Sequence, residues 1–190
     1  MLAFPQKILT SKRTLLYRSE GPLMRMALYL FLVALMGVGE AALASEPLPA
    51  PTGPVILTIS GKIEQTNAPG EARFDKAMLE ALGSASITTS SEVSDKAQFF
   101  EGVPLRAVIE RIGGKGATMK ATALNDYTVD IPLEDLKYEP LLALRVDGQV
   151  LKVRDKGPIW IIYPRDSVAI LKDVRFNSRW VWQLSRLHIE

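Results

Sequence analysis

Between Ala121 and Pro164 the chain leaves room for little except a tightly turned sheet. A polar loop, Asn125-Asp126-Tyr127, precedes two apolar stretches that flank Asp147-Gly148. That residue pair is the strongest short-range signal for a two-residue hairpin turn, because both positions need a positive φ. Lys152 to Lys156 then forms a basic-acidic-basic loop closed by Gly157-Pro158, and Ile159 to Tyr163 has the character of a buried central strand. A rigid strand held between polar loops is a common way for a sheet to present a binding site.

The flanking sequence continues in short pieces. Val55 to Ser60 reads as a strand ended by Gly61, and Gln65 to Glu71 as a surface loop. Asp75 is placed to cap a short helix whose Ala77, Met78, Ala81 and Leu82 recur at helical spacing, with Gly83 as the stop. Ile87 to Thr89 begins as a strand and gives way to loop by Ser94, and Gln98 to Glu101 is a further short strand. A second helix presents Leu105, Val108, Ile109 and Ile112 on one face and ends at Gly113-Gly114. Thr118 to Leu124 and Tyr127 to Ile131 are strands, and Pro132 opens a helical turn. The last strand, Trp180 to Ile189, switches apolar parity once, which predicts a one-residue bulge near Ser185-Arg186. Short strands mixed irregularly with a few short helices predict an α+β fold with a mixed, mostly antiparallel β-sheet.

The front of the chain differs. Arg25 precedes an uncharged apolar run from Met26 to Gly39, and Ala42-Leu43-Ala44 follows as a small-x-small cleavage site before Ser45. That order is the signature of a secretory signal peptide. A spanning helix needs roughly 20 apolar residues, and Glu40 interrupts this run too early. Residues 1–44 are therefore expected to be a signal peptide with an over-long leader, cleaved near Ala44-Ser45 to release a periplasmic or secreted chain with no further membrane insertion. Residues 45–54 read as a proline-rich linker and residues 55–190 as the domain. Removing 1–44 takes away five of 23 basic and two of 21 acidic residues and leaves 18 against 19. The apparent basicity belongs to the leader, so nothing in the remainder calls for a nucleic-acid partner. Cysteine is absent, which excludes disulfides, a thiolate nucleophile and a thiolate metal ligand.

Few residues carry recognisable chemistry. His188 is the single histidine, on a strand beside no recognisable Ser or Asp motif, and hydrolase signatures are missing. Gly113-Gly114-Lys115-Gly116 follows a helix and opens a strand, the reverse of a phosphate loop, so it reads as a helix cap. Asn125-Asp126-Tyr127 is either a hairpin turn or a polar rim offering amide, carboxylate and phenol groups to a ligand. Arg154-Asp155-Lys156 is either a solvated turn with an internal ion pair or, together with Arg179, a grip for an anion.

Four motifs in order carry a family likeness. They are Gly102-Val103-Pro104-Leu105; Asn125-Asp126-Tyr127 through Ile131-Pro132-Leu133-Glu134-Asp135; Leu141-Leu142-Ala143 with Val146-Asp147-Gly148; and Lys156-Gly157-Pro158 ahead of Ile162-Tyr163-Pro164. Over Val55 to Ile189 the chain resembles the oxidoreductase molybdopterin-binding domain of sulfite-oxidase-type fold, in particular small exported proteins that carry that domain alone. The resemblance implies an α+β fold and a molybdopterin whose dithiolene holds molybdenum, with a protein cysteine as a further ligand. It implies a cofactor site drawn from Ser90, Asn125, Asp126, Tyr127, Arg154, Lys156 and Arg179. The family cysteine falls near Ser90, where Thr88-Thr89-Ser90-Ser91 offers no thiol. Trp182 stands where cofactor-bearing members tend to have lysine. Two functions follow from the resemblance. One is a periplasmic molybdopterin-dependent oxidoreductase, with a membrane redox or signalling partner. The other is a binding or sensing module for a pterin or other small molecule that has lost the metal.

Overall fold

In a computed structural model, residues 46–190 are described, and the expected signal peptide lies outside them. The elements run β1 (Val55–Gly61), β2 (Glu71–Asp75), α1 (Lys76–Glu80), β3 (Ala85–Ser91), β4 (Ser94–Pro104) and α2 (Leu105–Arg111). They continue as β5 (Thr118–Ala123), β6 (Thr128–Pro132), β7 (Leu141–Val146), β8 (Gln149–Val150), β9 (Trp160–Ile162) and β10 (Leu184–Ile189). Short 3-10 segments, Leu133–Tyr138 and Val174–Arg179 among them, fill the connections. Two sheets result. One has the order β2-β1-β10-β5-β6, and the other β3-β4-β7-β8 with β9 also paired to β7. Every ladder is antiparallel except that of β1 with β10.

Local signals explain much of this. Asp147 (φ 49) and Gly148 (φ 76) form the expected hairpin turn between β7 and β8. On α2 and at its C-cap, Leu105, Val108, Ile109 and Ile112 are all buried, as their spacing requires. The β10 ladder slips register between Leu184 and Arg186, where parity demanded a bulge. Gly102 lies at the register shift between β4 and β7, where an added Cβ would collide with the Leu142 carbonyl oxygen.

Other expectations are corrected. Glu71–Asp75, which begins inside the expected loop, is a strand that alternates buried Ala72 and Phe74 with exposed Arg73. β3 continues to Ser91 and β4 extends from Ser94 to Pro104: the polar first half of β4 is held by its hairpin ladder with β3 and the second half by β7, so pairing overrides a low strand propensity. α1 has too few residues to display a face: Leu79 is its buried side chain, while Ala77 and Ala81 are exposed. The strand at Ile159–Tyr163 is buried but not central. Its outer edge is covered by the irregular chain leading into β10 and by the first residue of that strand, through Ile161 N–H to Val181 O (3.0 Å) and Leu184 N–H to Ile159 O (2.9 Å). Trp180 to Gln183, expected as strand, is that covering segment, and regular pairing starts only at Leu184.

The proline-rich stretch has no regular structure, yet Leu48 is buried and Asp75 holds the following residues in place. The Asp75 carboxylate accepts from Met78 N–H (2.8 Å) at the start of α1, and from Thr52 N–H (2.8 Å) and Gly53 N–H (2.7 Å). These backbone donors, Met78 foremost, hold its carboxyl below the ordinary aspartate range. A depressed carboxylate stabilises fully above its unfolded value, and the contribution is lost as pH falls through the folded value. Unfolding is therefore expected to become easier below about pH 4, with Asp75→Asn flattening that limb in thermal melts across pH. A variant that kept the wild-type acid slope would assign the slope to other carboxylates.

Candidate functional site

The segment Trp180–Gln183 draws two of the polar loops together. Leu124 N–H donates to Gln183 O (2.9 Å), which ties the turn between β5 and β6 to this segment. Gln183 N–H donates to Lys156 O (2.8 Å) and its side-chain amide to Val153 O (2.7 Å), which ties in the loop before β9. The turn joining β3 to β4 completes the rim. Between these elements lies a pocket of about 210 Å³ bounded by Glu92, Asn125, Tyr127, Asn177, Trp180 and Trp182.

The predicted site residues divide on reaching this point. Asn125 and Tyr127 line the pocket. Asn125 Oδ1 accepts from Tyr127 N–H (3.2 Å), an Asx turn, while the Tyr127 hydroxyl donates to Ser178 O (3.1 Å) and fixes its ring at the rim. Asp126, between them, has a left-handed backbone (φ 62) and pairs with Arg186 of β10 at 2.9 Å. The Lys156 ammonium lies 4.9 Å from the Trp160 ring centroid and 5.7 Å from that of Trp182. Arg154 is exposed and pairs with its neighbour Asp155 at 3.4 Å.

Arg179 is committed elsewhere. Its guanidinium donates to Asp135 Oδ2 at 2.6 Å and lies 4.4 Å from the Phe176 centroid. The same carboxylate oxygen accepts from the buried Tyr163 hydroxyl at 2.9 Å. Burial first, and then the Asp135 charge, push the Tyr163 phenol well above its ordinary range. This cluster is the foundation of the Val174–Arg179 turn, which supplies Asn177 and Ser178 to the pocket wall.

Ser90 belongs to a different contact. Its N–H and hydroxyl both donate to the Asp166 carboxylate, at 2.6 and 2.7 Å, and these two bonds hold that carboxyl below its ordinary range. Among the described residues no three His, Cys, Asp or Glu side chains are grouped so as to hold a metal ion.

Two features escaped the sequence reading. Glu92, in the turn after β3, brings a carboxylate to the pocket; crowding by the protein raises its pKa, while Arg165 and Lys156 pull it back. Its only sequence signal was its place two residues after Ser90. His188 does have a serine partner: Ser60 Oγ lies 2.9 Å from its Nδ1, because parallel pairing of β1 with β10 sets the two side by side. That pair sits exposed on an open sheet face.

No family model and no curated protein matches the chain. Among solved structures it is similar to the sulfane dehydrogenase SoxCD from Paracoccus pantotrophus, with 18% sequence identity and a TM-score of 0.52. The likeness is one of fold. It covers 70% of this chain and 37% of that one, so the chain spans little more than a third of that neighbour's length. The expected fold class, α+β with mostly antiparallel strands and few short helices in a sulfite-oxidase-like arrangement, is borne out at this level.

Proposed function

We propose that this chain is an exported small-molecule-binding module on an oxidoreductase-type fold, working without molybdenum. Support for export is the charged, apolar, small-residue order of residues 25–44; among the described residues no helix is long and apolar enough to cross a membrane. The observation that carries the rest is the state of Ser90. A molybdenum ligand in this neighbourhood should be soft and anionic. Ser90 offers a neutral hydroxyl already donated to an ionised Asp166, so a dithiolene metal centre would meet a carboxylate where it needs a thiolate.

The cations expected to grip a cofactor phosphate have other neighbours, which supports the same reading. Arg154 faces Asp155, Arg179 faces Asp135, and Lys156 rests on two indoles. The residues present do not fit a phosphorylated, metal-bearing pterin, and no chemistry is routed through one. A pocket of about 210 Å³ is also smaller than the roughly 300–1,000 Å³ of sites that take drug-sized ligands. A small ligand held by aromatic walls and amide groups suits it better.

The test is to produce the exported chain in a host with full molybdenum-cofactor supply. Molybdenum is then measured by mass spectrometry, and pterin by fluorescence after oxidation. The expected result is molybdenum far below one atom per chain and no pterin signal. Stoichiometric metal with pterin would overturn the reading and restore an oxidoreductase.

A further inference from the structure

We infer that the pocket between Glu92, Tyr127 and Trp182 takes a small organic cation, an alkylated ammonium group for example. This rests on the binding-module reading and names its ligand class. Tyr127, Trp180 and Trp182 supply the aromatic residues, and Glu92 supplies the charged side chain of the lining. An aromatic face carries negative quadrupolar potential, strongest for indole, and attracts a cation that has shed part of its water. A carboxylate at the same mouth adds Coulomb attraction and discriminates against neutral ligands of equal shape.

One ring of this wall, Trp182, already meets a cation from within the chain. The Lys156 ammonium sits over both Trp160 and Trp182, at 4.9 and 5.7 Å. Trp160 is buried and fixed by edge-on contacts with Phe100 and with Trp182, at 5.4 and 6.5 Å between centroids. Trp182 remains 36% exposed and Tyr127 44% exposed, so both rings are reachable from solvent. The Tyr127 ring is held in place by its bond to Ser178 O, so little ordering is left for binding to impose. For an anionic ligand Arg154 and Arg179 are already paired with Asp155 and Asp135, and the nearby cations Arg165 and Lys156 act on Glu92 itself. The pocket, about 210 Å³, suits a headgroup rather than a nucleotide or a full pterin.

The test uses the exported chain, with choline as the probe and 3,3-dimethylbutan-1-ol, its uncharged isostere, as the control. Binding is followed by calorimetry and tryptophan fluorescence at constant ionic strength. Choline is expected to bind with saturable quenching, and the alcohol at least about tenfold more weakly. Glu92→Gln, at an exposed turn position where folding is not at stake, should weaken choline about tenfold. Trp182→Leu should weaken it by a similar factor and remove most of the quenching. Equal affinity for choline and the alcohol would overturn the proposal, as would unchanged choline binding by Glu92→Gln. Failure of both choline and tetramethylammonium to bind at tens of millimolar would overturn it too. Such failures in a molybdenum-free protein would sink the ligand class alone, whereas stoichiometric molybdenum would sink the binding-module reading beneath it.

Discussion

Replacing Asp135 with alanine is expected to lower the melting temperature by roughly 10 °C, through a loss of about 3–5 kcal/mol. The carboxylate is buried and holds two donors on one oxygen, the Arg179 guanidinium at 2.6 Å and the Tyr163 hydroxyl at 2.9 Å. The Arg179 side chain is 20% exposed, so it cannot regain full hydration where it stands. Alanine would leave an unpaired cation and an unsatisfied phenol together under the Val174–Arg179 turn, which is the costly way to break a buried pair. Tyr163→Phe should cost far less, about 1 kcal/mol, because Asp135 keeps its charged partner. Because Arg179 adjoins Trp180, the Asp135 variant should also disturb the pocket wall. Urea and thermal denaturation decide the matter; a shift under about 2 °C would mean that the pair is solvated and dispensable.

The second large effect is expected at Phe100. This ring is fully buried on β4, in the interior of its sheet, and meets the edge of Trp160 at a centroid distance of 5.4 Å and an interplanar angle of 87°. Phe100→Ala removes its transfer free energy and opens a cavity that β3 and β7 cannot close, for about 3–5 kcal/mol. Phe100→Leu should cost under about 1.5 kcal/mol if the neighbours repack. The alanine variant has a further consequence, because Trp160 loses the contact that orients it beneath Lys156 and Trp182. Tryptophan emission is expected to move to longer wavelength in the folded variant. An unchanged spectrum would show that Trp160 is held by β7 and β9 alone.

The elements legible in the sequence were those fixed by neighbours along the chain. The Asp147-Gly148 turn, the apolar face of α2 and the bulge near Ser185 each depend on dihedral preference or periodicity within a few residues. The Trp180–Gln183 segment could not be read that way. Its alternation is that of a strand, but its hydrogen bonds go to Ile161, Leu124, Lys156 and Val153, three separate parts of the chain. The site was half legible for the same reason. Asn125 and Tyr127 reach the pocket because their turn places them there. Arg179, Ser90 and Asp126 each carry the right kind of group, yet each is engaged by a partner 44, 76 or 60 residues away that no local rule could name. A guanidinium in a sequence does not say which carboxylate it will meet.

Whether this fold is a cofactor cradle short of one sulfur atom, or a pocket put to another use, comes down to what a restored thiol would do. Ser90→Cys, produced with full molybdenum-cofactor supply, should still carry molybdenum far below one atom per chain. Arg154 and Arg179 would remain paired with Asp155 and Asp135, Lys156 would remain over its two indoles, and Asp166 would remain beside the new thiol. Molybdenum at about one atom per chain in that variant would contradict the account, because it would mean that the cradle is intact and only the soft ligand is missing.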